Sequence, residues 1–239
     1  MKFQHGFSLI EMAFVLVIVT LLLGGLLVPF ATQVEQRRIA ETQKAMEEIK
    51  EALLGFAIAN KRLPCPDSTM AASGINANDG VEDPCSAAME SEGNLPWATL
   101  GVSVADAWGN HFHYRVSNAF TGPGGFTLIT TGTLNVCSAA GCGVGTTSIA
   151  QNVPAVILSY GKNGYGSINA NLAAGNPSIN PCPAIGCSLD ESENQNANNN
   201  FVSRTITPAG TPAGEFDDLV TWLSPNVLFN RMVAAGQLP

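Results

Sequence analysis

The chain has 239 residues, 11 basic against 19 acidic, for a formal net charge of −8, with 46% hydrophobic but only 13% charged residues. An acidic balance without a Lys/Arg cluster excludes the electrostatic footprint of a nucleic-acid binder, so no direct contact with DNA or RNA is expected. About 175 residues follow the N-terminal helical pattern, within the range of one domain with a real core.

In chain order, a polar leader over residues 1–6 ends in Gly6 and is followed by Phe7-Ser8-Leu9-Ile10-Glu11. Glu11 is the only charge between Lys2 and Glu35, and Met12–Val34 supplies 23 uncharged residues. At about 1.5 Å per residue, such a run covers a hydrocarbon core of about 30 Å. A carboxylate inside a membrane span costs roughly 2.5–3.5 kcal/mol and calls for a partner. The alternatives are a plain anchor whose Glu11 snorkels or is protonated, and signal-peptide cleavage near Ala31. A secretory signal, however, has a shorter apolar core, a cationic start and a cleavage site beyond that core. Gly24, Gly25 and Pro29 make the stretch that contains them the weakest part of this helix.

Past the apolar run, Ile39, Met46, Ile49, Leu53 and Phe56 fall on one helical face, with charges such as Glu41, Lys44, Glu48 and Glu51 on the others. Leu63-Pro64 is expected to end the segment, because a residue before proline is pushed out of the α region. A rod of about 54 residues and roughly 80 Å is predicted.

The signature Gly6-Phe7-Ser8-Leu9-Ile10-Glu11 resembles that of the type IV pilin and type II secretion pseudopilin superfamily. The resemblance implies cleavage between Gly6 and Phe7 by prepilin peptidase and methylation of the new Phe7 amine. It also implies pairing of the Glu11 carboxylate with the terminal amine of a neighbouring subunit, since opposite charges within about 4–6 Å favour both ionised forms. The expected organisation is a leader at 1–6, a transmembrane and assembly helix at 7–34, an amphipathic helix at 35–62 and a soluble head at 63–239. The fold class implied is α+β, a long N-terminal helix packed on an antiparallel sheet. Expected partners are copies of the chain, other pilin-like subunits, prepilin peptidase and an inner-membrane assembly platform. The expected location is the inner membrane, single-pass with a periplasmic head, and then a filament.

Six cysteines, Cys65, Cys85, Cys137, Cys142, Cys182 and Cys187, read as disulfides formed in an oxidising compartment. Their order suggests the pairs 65–85, 137–142 and 182–187. Zinc is the rival, although neither C-x4-C pair has the tight spacing of zinc ribbons. Within the head, His111–Val116 alternates, with Phe112, Tyr114 and Val116 on one face and His111, His113 and Arg115 on a solvated one. Phe126–Thr131, Ala155–Tyr160 and Phe201–Thr207 are further strand candidates. Glu191–Asn200, with five asparagines, is expected to be a mobile loop tip.

Two head segments extend the resemblance. Asp106-Ala107-Trp108-Gly109-Asn110 looks like the Asp-Pro-Trp-Gly-Asn of major pseudopilins, with Ala107 for proline. Leu158–Gly164 and, after an insertion of roughly 50 residues, Phe216–Trp222 resemble that family's C-terminal loop. Major pseudopilins carry calcium there, which makes Asp217 and Asp218 candidate oxygen ligands, although Asn163 stands where the family often has Asp. Alternatively, Asp217 or Asp218 caps a helix near Leu219 and Asn163-Gly164 makes a hairpin turn.

No catalytic motif emerges. Arg115 beside His111 and His113 argues against a metal pair, and Asp79, Glu82 and Asp83 read as solvated loop acids. Trp97, Trp108 and Trp222 read as packing residues rather than a sugar platform. The sequence therefore points to a non-enzymatic filament subunit, with a minor tip pilin acting as adhesin or cargo-binding module as the alternative.

Overall fold

The computed structural model describes residues 8–67, 78–84, 91–142, 148–170, 179–183 and 187–238, the side chains of 22–29 and of Ser91 excepted. The expected site residues Gly6, Phe7 and Cys85 lie outside the described residues. The chain divides into two compact units, residues 1–40 and 41–239. One helix, α1 (Leu9–Asn60), runs through 52 residues of both without a break. It ends not at Leu63-Pro64 but at Lys61, whose φ of 60° leaves the helical region while its N–H still bonds Ala57 O at 2.7 Å.

Among the described residues of the first unit, most apolar side chains are exposed. Leu9 is 91% exposed, and Phe14, Leu16, Leu21 and Phe30 are exposed with it. No helix among the described residues is long and apolar enough to cross a membrane; the 23-residue apolar run includes 22–29, whose side chains lie outside the description.

In the second unit the same helix turns one face inward. Thr42, Met46, Ile49, Leu53 and Ala57 are buried at spacings of four, three, four and four, while Phe56 is half-buried. The head adds β1 (Ser91–Asn94), α2 (Trp97–Leu100), β2 (His113–Val116), β3 (Leu134–Cys137), β4 (Ser148–Val153) and β5 (Ala155–Ser159). After these come α3 (Leu189–Gln195), β6 (Asn200–Val202), β7 (Leu219–Leu223) and α4 (Pro225–Ala234). Strands β1-β2-β5-β7 form an antiparallel sheet in that order. A second sheet runs β4-β3-β6, with β3 antiparallel to β4 but parallel to β6. The architecture is α+β, as the resemblance implies, with that parallel pair a departure from an antiparallel head. Central strand β5 is buried along all five residues, which is what a strand covered on both faces requires.

Several local expectations fail for physical reasons. Phe126–Thr131 is no strand: Thr130 N–H bonds Thr127 O at 3.0 Å, closing a turn that leaves Ile129 exposed. Leu219 opens strand β7, not a helix capped by Asp218. Glu191–Asn200 is not a loop tip. Ser188 caps α3 by accepting Glu191 N–H at 3.2 Å, and the buried Asn194 amide bonds Val202 in both directions, at 2.7 and 3.1 Å. That side chain serves β6 as a strand neighbour would.

Candidate functional site

At the N-terminus, Ser8 and Glu11 satisfy each other. The Ser8 N–H donates to Glu11 Oε2 at 2.8 Å and the Glu11 N–H donates to Ser8 Oγ at 3.3 Å, a reciprocal capping box on the first turn of α1. A carboxylate there also faces the positive end of the helix dipole. Glu11 is exposed, so its second oxygen is open to another donor.

In the head, the Asp106–Asn110 segment is built round one carboxylate. Asp106 Oδ1 accepts Trp108 N–H and Asn110 N–H, each at 2.9 Å, and Oδ2 accepts Ser159 Oγ–H of β5 at 2.7 Å. Burial nevertheless outweighs these bonds and raises the Asp106 pKa. Ala107, standing where the resembled family has proline, keeps an N–H that donates to Thr42 Oγ1 of α1 at 3.2 Å. Proline would have no such donor.

The two expected metal residues meet a third that sequence reasoning missed. Ligand atoms of Glu191, Asp217 and Asp218 lie within 4.8 Å of one another. Glu191 arrives from α3, in the insertion, and Asp217 and Asp218 from the segment entering β7. Its signal was the pattern Ser188-x-x-Glu191, a helix N-terminus in sequence; only the Ser188 half of that capping box is used for capping. The Glu191 carboxylate turns instead to accept Asn163 Nδ2–H at 2.9 Å and Asp217 N–H at 3.3 Å. Asn163 also donates its backbone N–H to Asp217 Oδ2 at 2.8 Å, so the residue in the family's Asp position donates to the acids. It makes a turn with Gly164, but not the hairpin turn expected, since no two paired strands flank it among the described residues.

Burial and acidic neighbours tell on all three acids. Burial and the neighbouring Glu191 and Glu215 push Asp217 up to about 7, burial raises Glu191, and burial lifts Asp218 well above the carboxylate range. Asp217 Oδ1 is shut from solvent with no hydrogen-bond partner. The crowded carboxylates and the orphan oxygen supply hard oxygen donors of the kind calcium takes, as part of the six to eight it needs.

The cysteines are used otherwise. Cys137–Cys142 and Cys182–Cys187 are disulfides, which removes their thiolates from zinc binding, and Cys65 is disulfide-bonded as well. His111 and Arg115 are buried rather than solvated: His111 lies against Trp97 and the Val104 carbonyl, and Arg115 reaches Ala197 O at 3.1 Å and Asn199 Oδ1 at 3.0 Å. The loop acids are not free either. Glu82 holds Arg62 through two bonds of 2.7 and 2.8 Å, and against the upward push of burial the Arg62 pair and the Cys65 N–H together hold Glu82 below its ordinary range. Trp97 stacks on His111 with ring centroids 4.5 Å apart.

Residues 1–27 match the family model of the prokaryotic N-terminal methylation motif. The chain carries the prepilin-type signature of type IV pilins and pseudopilins. The pilin-like chain is thus of a membrane-anchored, processed type, and its motif family is structural. No curated protein and no solved structure matches the pilin-like chain.

Proposed function

We propose that the chain is a structural subunit of a type II secretion or type IV pilus filament, freed of residues 1–6 by prepilin peptidase and assembled through α1. The observation that carries this reading is the methylation motif over residues 1–27, which runs into a 52-residue helix with outward apolar side chains. In lipid those side chains are solvated, and in a filament they pack against other copies or other pilin-like subunits. Glu11 sets register by pairing with the Phe7 amine of an incoming subunit, because an unpaired carboxylate in an apolar bundle is costly. The head then stands in the periplasm until the inner-membrane platform lifts the subunit. The intact mass of purified protein tests this: a start at Phe7, one methyl group heavy, is expected, and a start beyond Ala31 would overturn it.

A second reading is a minor subunit at a tip, binding a surface or cargo. The folded insertion, with α3 and β6 locked onto the head by Asn194, favours it. Stoichiometry in purified filaments separates the two: abundance marks the structural subunit.

For the head, we propose that Glu191, Asp217 and Asp218 hold a hard divalent cation such as calcium. Bound there, it would supply positive charge that offsets three carboxylates and ties α3 to the start of β7. Chelation of the full chain should lower its melting temperature by several degrees, about 1–2 kcal/mol in a head of this size. Glu191→Gln should abolish the response. Unchanged melting in the wild type would remove the site.

A further inference from the structure

Glu191 belongs to two constellations. One joins it to Asp217 and Asp218; in the other, the sulfurs of Cys182 and Cys187 and a Glu191 carboxylate oxygen all lie within 4.8 Å of one another. The two oxygens of Glu191 divide between neighbours. Oε1 accepts the Asn163 side-chain N–H at 2.9 Å and the Asp217 N–H at 3.3 Å, whereas Oε2 lies 3.9 Å from Cys187 Sγ.

The three residues are held in place by contacts other than the sulfur–sulfur bond. Cys187 immediately precedes Ser188, whose hydroxyl caps α3 by accepting the Glu191 N–H at 3.2 Å. Cys187 and Glu191 are four residues apart, so they meet across the first turn of that helix. At the other end of α3, Gln195 Oε1 accepts the Cys182 N–H at 3.3 Å. The Cα atoms of the two cysteines are 5.7 Å apart. These anchors stay when the disulfide opens, and rotation of two short side chains is enough to part the sulfurs.

The resulting donor set has a defined chemistry. In a tetrahedral zinc site with Zn–S of about 2.3 Å and Zn–O of about 2.0–2.2 Å, neighbouring ligand atoms lie about 3.5–3.8 Å apart. The separation of Cys187 Sγ from Glu191 Oε2 is already close to that. A spacing of four residues between the cysteines is the wide end of the zinc pattern. The pair Cys137–Cys142 has the same spacing, but no third metal-ligating side chain joins it among the described residues.

We propose that, with its disulfide reduced, the pair Cys182 and Cys187 binds a thiophilic divalent cation such as zinc together with Glu191. A dithiol reductant opens the bond by exchange: the protein disulfide gains two electrons and two protons, and the dithiol becomes its own disulfide. The metal takes both thiolates and the carboxylate, two protons leave, and water completes the tetrahedron. Thiolates select zinc, while an all-oxygen cluster selects a hard cation, so the two constellations prefer different metals and compete for one carboxylate. The reduced form is the one a chain holds before its head reaches an oxidising compartment.

The test uses the processed full chain in detergent, reduced by a water-soluble phosphine that ends as its oxide with oxygen taken from water. Cobalt(II) is the probe, because thiolate ligation gives a sulfur-to-metal charge-transfer band, and zinc is the competitor. The reduced chain should show the band, zinc should remove it, and the oxidised chain should lack it. Zinc should also slow alkylation of Cys182 and Cys187 at least about tenfold, mapped by peptide mass spectrometry, and leave Cys137 and Cys142 reactive. Glu191→Gln should weaken zinc binding at least about tenfold, and Cys182→Ser should diminish the cobalt band where Cys137→Ser does not. No thiolate band in the reduced chain, a band undiminished in Cys182→Ser, protection confined to Cys137 and Cys142, or unaltered zinc binding in Glu191→Gln would each overturn the proposal. The alkylation pattern is read in the wild-type chain, so it does not depend on a variant folding. A missing response to chelation in the oxidised chain removes the calcium site alone, and a filament defect leaves the zinc site untouched.

Discussion

The part of α1 before Ala40 and the head after it treat apolar residues in opposite ways. Leu9, Phe14, Leu16, Leu21 and Phe30 stand exposed, whereas Met46, Ile49 and Leu53 of the same helix are buried. Each buried leucine contributes about 1.5–3 kcal/mol to the head, but the exposed ones contribute only where lipid or another copy removes them from water. One continuous helix therefore serves two economies: the head folds on its own contacts, and the stem is complete only in company.

The comparison can be broken by exchanging which half a mutation touches. Glu11→Ala should have the largest effect and leave head stability alone: membrane insertion persists while filament yield falls at least about tenfold, scored by electron microscopy of cells making only the variant. Normal filaments would remove the proposed pairing role. Leu53→Ala should cost the head about 2–5 kcal/mol in denaturant unfolding, whereas Leu16→Ala, exposed in the isolated chain, should leave that transition in place. Equal losses would contradict the division into two kinds of surface. Gly161→Ala should cost about 1–3 kcal/mol, because Gly161 has φ +59° and a methyl group there would collide with the Asp217 carbonyl.

The last effect is the most gradual, because it is spread over several pH units. Burial, with Asp79 and Asp83 nearby, raises Asp67 from 3.8 to about 7 against the bonds it accepts from Gly80 and Asn78. Between those values the folded state holds the proton more tightly than the unfolded one, so stability should fall as pH rises from about 4 to about 7. The share of the slope due to Asp67 should reach at most about 1.4 kcal/mol per pH unit. Asp67→Asn should flatten it relative to wild type; an unchanged slope would place the titration elsewhere, with Asp217 next in line.

The difference between the halves also decided what could be read in advance. The stem is governed by local rules: a six-residue signature, an uninterrupted apolar run and 3.6-residue periodicity place Glu11 and the buried face of α1 without tertiary knowledge. Strands β2 and β5 were legible too, because an alternating and a continuous apolar run both signal strands, although β2 proved buried at Arg115 as well as at Tyr114 and Val116. Four-residue strands such as Leu134–Cys137 carry too few positions to declare a period. The polar run after Cys187 misled for a related reason. Its asparagines suggest solvent, yet Asn194 is buried because its amide substitutes for backbone bonding to β6.

By itself, the sequence determined the processing signature, the long helix and its two kinds of face, the local disulfides 137–142 and 182–187, and an α+β head. These depend on neighbours within a few turns or a few residues, so adjacency in the chain is enough. Tertiary structure alone decided that Glu191 joins Asp217 and Asp218 from 26 residues away and that Asn163 donates to both sides of that cluster. Charges and donors interact through space, and their meeting places are set by how sheets and insertion pack, which no local pattern encodes.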